Sequence, residues 1–319
     1  MRRPHPDAAR IISAHGRQAW VETATGQVAL CHLKGRDLDP LANDWVLVDS
    51  SDHPTVISAI LDRTNTLYRQ EGQKIKALAA NLDLVLIVLA GEPKFAPDAI
   101  ARLVASLIEQ NIDFQIVVNK SDLPQALETA RDLIKGFQPT WPSEPWPIIE
   151  ASTRADGGLV RLETHLTTAA NSRPDTCVAL VGQSGMGKSS LLNALVPDAQ
   201  AQTNTISFAL QSGRHTTTVS RVYQTQIQEG PSLRVIDTPG FQRFGISHLD
   251  RSDLERIFPE WQRINEADGG CRFYNCSHDH EPGCQVQARI HQLEKDDPTL
   301  GRLLEARRQQ WLRLLKTSA

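Results

Sequence analysis

The chain has 319 residues and a formal net charge of −3, with 40% hydrophobic and 22% charged side chains. That length suits two or three domains, and the ordinary composition excludes a disordered or fibrous chain. Near-neutral charge excludes a globally basic nucleic-acid binder, so any RNA contact must come from local patches. No stretch reaches the ~20 apolar residues of a membrane span; the longest apolar run, 84–90, is strand-sized. Pro4-His5-Pro6-Asp7 stands where a signal peptide needs an apolar stretch, so a cytoplasmic protein without a membrane partner is expected.

In chain order, 10–15, 18–23, 27–32 and 44–48 read as short strands, separated by Gly16, Thr25-Gly26 and Gly35. A small all-β, OB-like barrel is predicted over 1–62. From about Thr64 the texture becomes strand followed by helix: strands at 84–90, 115–118, 148–149, 177–181 and 233–236, helices at 98–110, 121–137 and 189–195. That alternation predicts an α/β domain over 63–243, with a largely parallel sheet and functional loops at its strand ends. Residues 138–147, rich in Pro and Trp, read as a surface connection, and 244–319 as a helical domain. Cys31 and Cys177 stand alone in predicted strands and read as core packing. The segment 300–316 carries Arg302, Arg307, Arg308, Arg313 and Lys316 against Glu305, which fits a solvated amphipathic helix or an RNA-facing patch.

Gly182-Gln183-Ser184-Gly185-Met186-Gly187-Lys188-Ser189 fits G-x-x-x-x-G-K-S between a buried strand and a helix. Gly182, Gly185 and Gly187 free backbone N–H groups to face phosphates, and the following helix N-terminus, with Ser190 in its first turn, adds a favourable dipole. Lys188 is expected to reach the β- and γ-phosphates and Ser189 to bind Mg²⁺. Asn119-Lys120-Ser121-Asp122 closes a strand. The Asp122 carboxylate suits the two donors on the edge of guanine, which adenine lacks, so GTP is preferred over ATP. Asn119 supports the loop and the base, and the stem of Lys120 lies on the ring.

Asp237-Thr238-Pro239-Gly240 supplies D-x-x-G, with Asp237 holding Mg²⁺ and Gly240 sensing the γ-phosphate. Among Thr216, Thr217 and Thr218, Thr217 is favoured as the switch residue on Mg²⁺, with Thr216 beside it. Phe241 occupies the place where many GTPases keep a water-orienting glutamine, which predicts slow intrinsic hydrolysis. The missing catalytic group then comes from a partner or from His215. These motifs run in permuted order, base reader before phosphate loop, so the switch loop leads directly into the last domain. There Cys271-x₄-Cys276-x-His278-x₅-Cys284 offers three thiolates and an imidazole, a closed donor set for one structural Zn²⁺. His280 is an alternative to His278, and His291 is spare.

Together these residues resemble the RsgA (YjeQ, EngC) family of small ribosomal subunit biogenesis GTPases. The motif order, Gly213-Arg214-His215-Thr216-Thr217-Thr218 and the cysteine–histidine spacing carry the resemblance over nearly the whole chain. It implies an OB-fold first domain and GTP hydrolysis stimulated by the small ribosomal subunit. It also implies action late in that subunit's maturation, on rRNA near the decoding region. His215 as a catalytic residue, assembly factors as further partners and a monomeric state come with it. Ser152-Thr153-Arg154 departs from the family's Ser-Ala-Lys-like base contact but keeps Ser152. A different class of function, a nucleic-acid-binding adaptor with structural GTP, is compatible with Phe241 and the two flanking domains.

Overall fold

The computed structural model describes residues 4–49, 55–71, 74–140, 142–173, 175–199, 219–227, 230–240 and 249–318. Five strands, β1 (Ala8–His15), β2 (Gln18–Glu22), β3 (Val28–Leu33), β4 (Trp45–Asp49) and β5 (Val56–Ile60), close a barrel in the order β1-β2-β3-β5-β4. β1 pairs antiparallel with β4, and β3 pairs parallel with β5, an OB-like arrangement. Alternate residues point inward along each strand. Ile11, Ala19, Val21, Cys31, Val46 and Ile57 therefore fill a core separate from the rest of the molecule. A hairpin, β6 (Thr66–Glu71) with β7 (Lys74–Ala80), follows the barrel. Asn43 closes the junction, its Nδ2 donating to both Ala80 O and Asn81 O at 2.9 Å.

The central sheet has six strands: β8 (Leu84–Leu89), β9 (Asp113–Val118), β10 (Ile148–Glu150), β11 (Cys177–Val181), β12 (Arg221–Gln226) and β13 (Ser232–Asp237). Their order is β10-β9-β8-β11-β13-β12, parallel except for the edge strand β12. Covered on both faces, central parallel strands read as continuous apolar runs. Every residue of β8 and β11 is buried. Helices α1 (Pro97–Glu109), α2 (Pro124–Lys135), α3 (Val160–Ser172) and α4 (Lys188–Leu195) accompany the strands. The predicted helix 121–137 is shorter than expected: Pro124 occupies its first turn, where a missing N–H costs nothing. Ser121, Asp122 and Leu123 are thereby released to a loop.

Beyond Asp237 the described chain resumes in α5 (Arg251–Glu255), α6 (Pro259–Asp268), α7 (Gln285–Asp296) and α8 (Pro298–Ser318). An Asp250/Asp253 capping box starts α5. This region does not build a core separate from that of the central sheet. Phe258, Trp261, Leu304, Trp311 and Leu314 belong to the same apolar cluster as the central sheet. Arg307 pins that junction: its Nε donates to Glu260 Oε1 at 2.5 Å, Nη2 to Ile257 O at 2.6 Å, and Nη1 to Phe137 O. Both charged partners are fully buried. Arg313 adds a pair with Asp98 in the first turn of α1, Nε to Oδ2 at 2.7 Å. At the opposite end of the sheet, Arg234 holds Glu22 of the barrel at 2.6 Å and Asp175 at 2.7 Å, and Asp175 also pairs with Arg10. Among the described residues, no helix is long and apolar enough to cross a membrane.

Candidate functional site

Strand β11 runs into Gly182 and α4 begins at Lys188, so the glycine-rich segment is a tight strand-to-helix loop. Its glycines are sterically required at two places. A Cβ on Gly182 would stand 2.4 Å from Val88 O, and one on Gly187, at φ +88°, would stand 2.2 Å from Asn119 Nδ2. Lys188 is buried, and its Nζ donates to Gly182 O at 2.8 Å and Gln183 O at 3.3 Å. Burial pushes its ammonium pKa down while the charge of Asp237 opposes that shift. Ser189 and Ser190 are exposed in the first turn of α4.

The base-reading loop lies at the end of β9, beside β8. Asn119 is buried; its Nδ2 donates to Met186 O at 3.0 Å, tying this loop to the glycine-rich one. Its Oδ1 is left as a buried acceptor with no protein partner. Lys120 has left-handed backbone at φ +63°, and its Nζ donates to Glu92 O at 2.7 Å. Asp122 is exposed, with Oδ1 accepting from Ser152 Oγ at 2.6 Å. Ser152 Oγ accepts in turn from Arg154 N at 3.0 Å and Ala155 N at 3.1 Å. The Ser-Thr-Arg departure therefore retains the serine that orients the Asp122 carboxylate.

Asp237 ends β13 and is buried, next to β11 in the sheet. Thr238 Oγ1 donates to Leu180 O at 2.7 Å, which fixes the start of this loop against β11. A Cβ on Gly240 would be 3.2 Å from Lys188 Nζ, so D-x-x-G closes over the lysine. The carboxyl ends of β8, β9, β11 and β13 thus gather the three motifs in one place, the general location of ligands in open α/β sheets. His215, Thr216, Thr217, Thr218 and Phe241 lie outside the described residues. Gln183 was not singled out from sequence, yet its Oε1 accepts from Ala96 N at 2.8 Å and links the glycine-rich loop to the start of α1. Its position is one of the unrestricted ones in the motif, so no sequence signal marked it. The orphaned Asn119 acceptor, the glycine cradle and the buried lysine fit a nucleoside triphosphate, and Asp237 with Ser189 supplies oxygen donors of the kind Mg²⁺ takes.

The second centre is the cysteine–histidine cluster. Donor atoms of Cys271, Cys276, His278 and Cys284 all lie within 4.8 Å of one another. His278 presents Nδ1 to Cys284 Sγ at 3.4 Å and Cys271 Sγ at 3.7 Å. Backbone N–H groups of Gln285 and Gln287 point at the Cys271 and Cys284 sulfurs at 3.4 and 3.5 Å, favouring thiolates. Burial, with the Arg251 charge, pushes the His278 imidazole down to about 4, leaving it neutral as a ligand must be. Three soft thiolates and one imidazole match structural Zn²⁺. His280 and His291 are exposed and stand outside the set, whereas His278 lies within it. The knuckle is clamped from outside: Trp311 Nε1 donates to Ser277 O at 2.8 Å, and Arg308 Nη1 to His278 O at 2.8 Å.

Those contacts also decide the basic segment 300–316. Arg307, Arg308 and Arg313 are engaged with Glu260, Glu305 and Asp98, so they serve packing and leave little of the run as an RNA-facing patch.

The sequence model of the RsgA GTPase family matches residues 60–247. The small ribosomal subunit biogenesis GTPase RsgA of Bordetella pertussis is 42% identical over 281 residues, covering 88% of each chain. The protein of the same name from Paraburkholderia phymatum is 41% identical over 280 residues, covering 86% of this chain and 83% of that one. In fold, the chain matches the crystal structure of YjeQ from Thermotoga maritima with a TM-score of 0.66 at 24% identity, covering 98% of both. It also matches YloQ, described as a circularly permuted GTPase, with a TM-score of 0.62 at 21% identity, over 99% of this chain and 96% of that one. A family match over more than half the chain, with relatives above 40% identity across most of both lengths, shows that this GTP hydrolase belongs to the RsgA GTPase family.

Proposed function

We propose that the chain acts in late maturation of the small ribosomal subunit, binding rRNA near the decoding region and hydrolysing GTP when that subunit stimulates it. The observation that carries the nucleotide half is the contact of Asn119 Nδ2 with Met186 O, which joins the base-reading and phosphate loops into one pocket. The names of the Bordetella and Paraburkholderia relatives support the ribosomal half. The division of labour follows 1–62 as the barrel, 63–243 as the permuted GTPase domain and 244–319 as the zinc-binding domain. The protein works in the cytoplasm as a monomer, with assembly factors as further partners on the subunit.

Within the pocket, Asp122 reads the guanine edge, oriented by Ser152, while Asn119 and Lys120 brace the base. Gly182, Gly185, Gly187, Ser190 and Lys188 hold the phosphates; Lys188 leaves its own loop carbonyls for the phosphate oxygens. Ser189, Asp237 and Thr217 hold Mg²⁺, which when bound neutralises charge on the transferred phosphoryl group. Thr216 and Gly240 sense the γ-phosphate. Phe241 has no group able to orient water, so His215 serves as the catalytic side chain, its placement completed on the subunit. Cys271, Cys276, His278 and Cys284 hold one structural Zn²⁺.

Co-sedimentation tests the partner. With a non-hydrolysable GTP analogue, the protein is expected to travel with isolated small subunits and not with large ones, and GDP is expected to release it. Equal binding in both nucleotide states would favour the adaptor reading instead.

A further inference from the structure

The chain between β8 and α1, residues 91–96, belongs to none of the three GTPase motifs, yet it touches two of them. It is itself firmly seated. Gly91 packs against Ala126 O of α2 too closely to admit a Cβ. Phe95 is buried and meets Phe137 edge-on, with ring centroids 5.9 Å apart. From this post, Glu92 O accepts from Lys120 Nζ of the base-reading loop at 2.7 Å. Pro93 lies against the phosphate loop, where a Cβ on Gly185 would stand 2.9 Å from its Cγ. Ala96 N donates to Gln183 Oε1 at 2.8 Å.

The last of these bonds comes from outside the helix it caps. In a capping box, a Glu or Gln three residues on returns its side chain to the N–H of the N-cap residue. The N-cap of α1 is Ala96 and the residue three on is Ala99, which has no acceptor to offer. Gln183, 87 residues away, supplies it instead. The bond also acts where the phosphate loop is least supported. Ser184 and Gly185 are exposed, and the Asn119 bond reaches the loop at Met186 O, beyond them. The main-chain oxygen of Gln183 is, in addition, one of the two carbonyls on which Lys188 Nζ rests. One side chain therefore fixes both the crown of the loop and a resting place of its lysine.

We propose that Gln183 is a positioning residue for the phosphates of the nucleotide. Its bond to Ala96 holds the crown of the loop, 183–185, at a fixed offset from the base-reading loop, with 91–96 as the spacer between them. The proposal rests on the nucleotide pocket described above and not on the ribosomal role. A loop already held in its receptive shape loses no binding energy to ordering, so base and phosphates can be engaged together. The effect falls on the β-phosphate, which the lysine of such a loop reaches. Base reading itself is left to Asp122 and Ser152, which the bond does not touch.

The test measures GDP and GMP dissociation constants for the full-length protein in excess Mg²⁺, by competition against a fluorescent GDP analogue. Gln183→Leu removes the acceptor; Gln183→Asn keeps an amide but on a side chain too short to reach Ala96. Both variants are expected to narrow the GDP-to-GMP affinity ratio about fivefold, the scale of one neutral hydrogen bond. Ala96 is exposed, so water replaces the lost acceptor and the melting temperature should hold. A ratio unchanged in both variants overturns the role. So does an equal loss of GMP and GDP affinity with a lower melting temperature, which marks a damaged fold and not a displaced loop. A wild type that binds neither nucleotide overturns the pocket together with the role, which separates that failure from a failure of the role alone.

Discussion

Gly187 and Asn119 are packed so closely that a Cβ on the glycine would lie 2.2 Å from the asparagine amide nitrogen. Sixty-eight residues separate them in the chain, yet one cannot change without the other. The phosphate and base halves of the pocket are therefore a single packed unit. Gly187→Ala would drive a methyl group into that amide and impose a side chain at φ +88°. Left-handed backbone costs a non-glycine residue roughly 1–2 kcal/mol before any clash. A lower melting temperature and loss of guanine nucleotide binding are expected together, measured by thermal denaturation and fluorescent-GDP titration.

Asp122 gives base selectivity. Its carboxylate has only acceptors to offer, and Ser152 holds one oxygen at 2.6 Å. Asp122→Asn replaces an acceptor with a donor, which suits xanthine, where a carbonyl replaces the amine of guanine. Affinity for GTP should fall by roughly a hundredfold or more, and xanthosine triphosphate should bind the variant better than the wild type. Competition titrations with the two nucleotides check the reversal.

Much of this was legible in the sequence, for identifiable reasons. β8 and β11 are wholly buried and so wholly apolar, and the glycine-rich loop follows one of them directly. Four barrel strands were found within two residues of their ends because Gly16, Thr25-Gly26 and Gly35 punctuate that stretch. β5 was not, and neither was the β6–β7 hairpin, where a register shift between Leu67 and Tyr68 breaks the alternation. α3 was missed because its second half sets Thr167, Thr168, Asn171 and Ser172, four weak helix formers, around only two alanines. The fate of the C-terminal arginines could not be read at all. Their partners, Glu260, Phe137 and Asp98, are 47, 170 and 215 residues distant, and only the fold brings them together.

Arg307 and Glu260 form a pair with no solvent exposure, and Glu260 Oε2 has no partner. Removing one member of a buried pair costs about 3–5 kcal/mol because the other charge is stranded. Arg307→Leu should show that loss near neutral pH. Burial already raises the Glu260 pKa, with the Arg307 charge opposing it. The folded state thus holds this proton more tightly than the unfolded state, and its contribution to stability falls as pH rises through that window. Without Arg307 the carboxyl rises further. The deficit relative to wild type should shrink as pH is lowered from neutrality toward the ordinary glutamate range, read from denaturant midpoints of both proteins at each pH.

The cysteine–histidine cluster should hold one equivalent of zinc, measured by elemental analysis. Stripping it, or substituting Cys276→Ser, should raise hydrogen exchange across 271–284. Trp311 and Leu314 share the core of the central sheet, so α8 should stay protected and guanine nucleotide affinity should be unchanged. Collapse of protection throughout 298–318 would show that metal, and not the shared core, holds the last helix in place.

Steady-state GTP hydrolysis by the purified protein is the decisive measurement, made alone, with isolated small subunits and with large subunits, using ATP as control. Slow turnover alone, strong stimulation by small subunits only, no hydrolysis of ATP and no activity in Lys188→Ala are the predicted results. Tight GTP binding without stimulation by the small subunit would contradict the proposed role and leave a nucleotide-bound adaptor in its place.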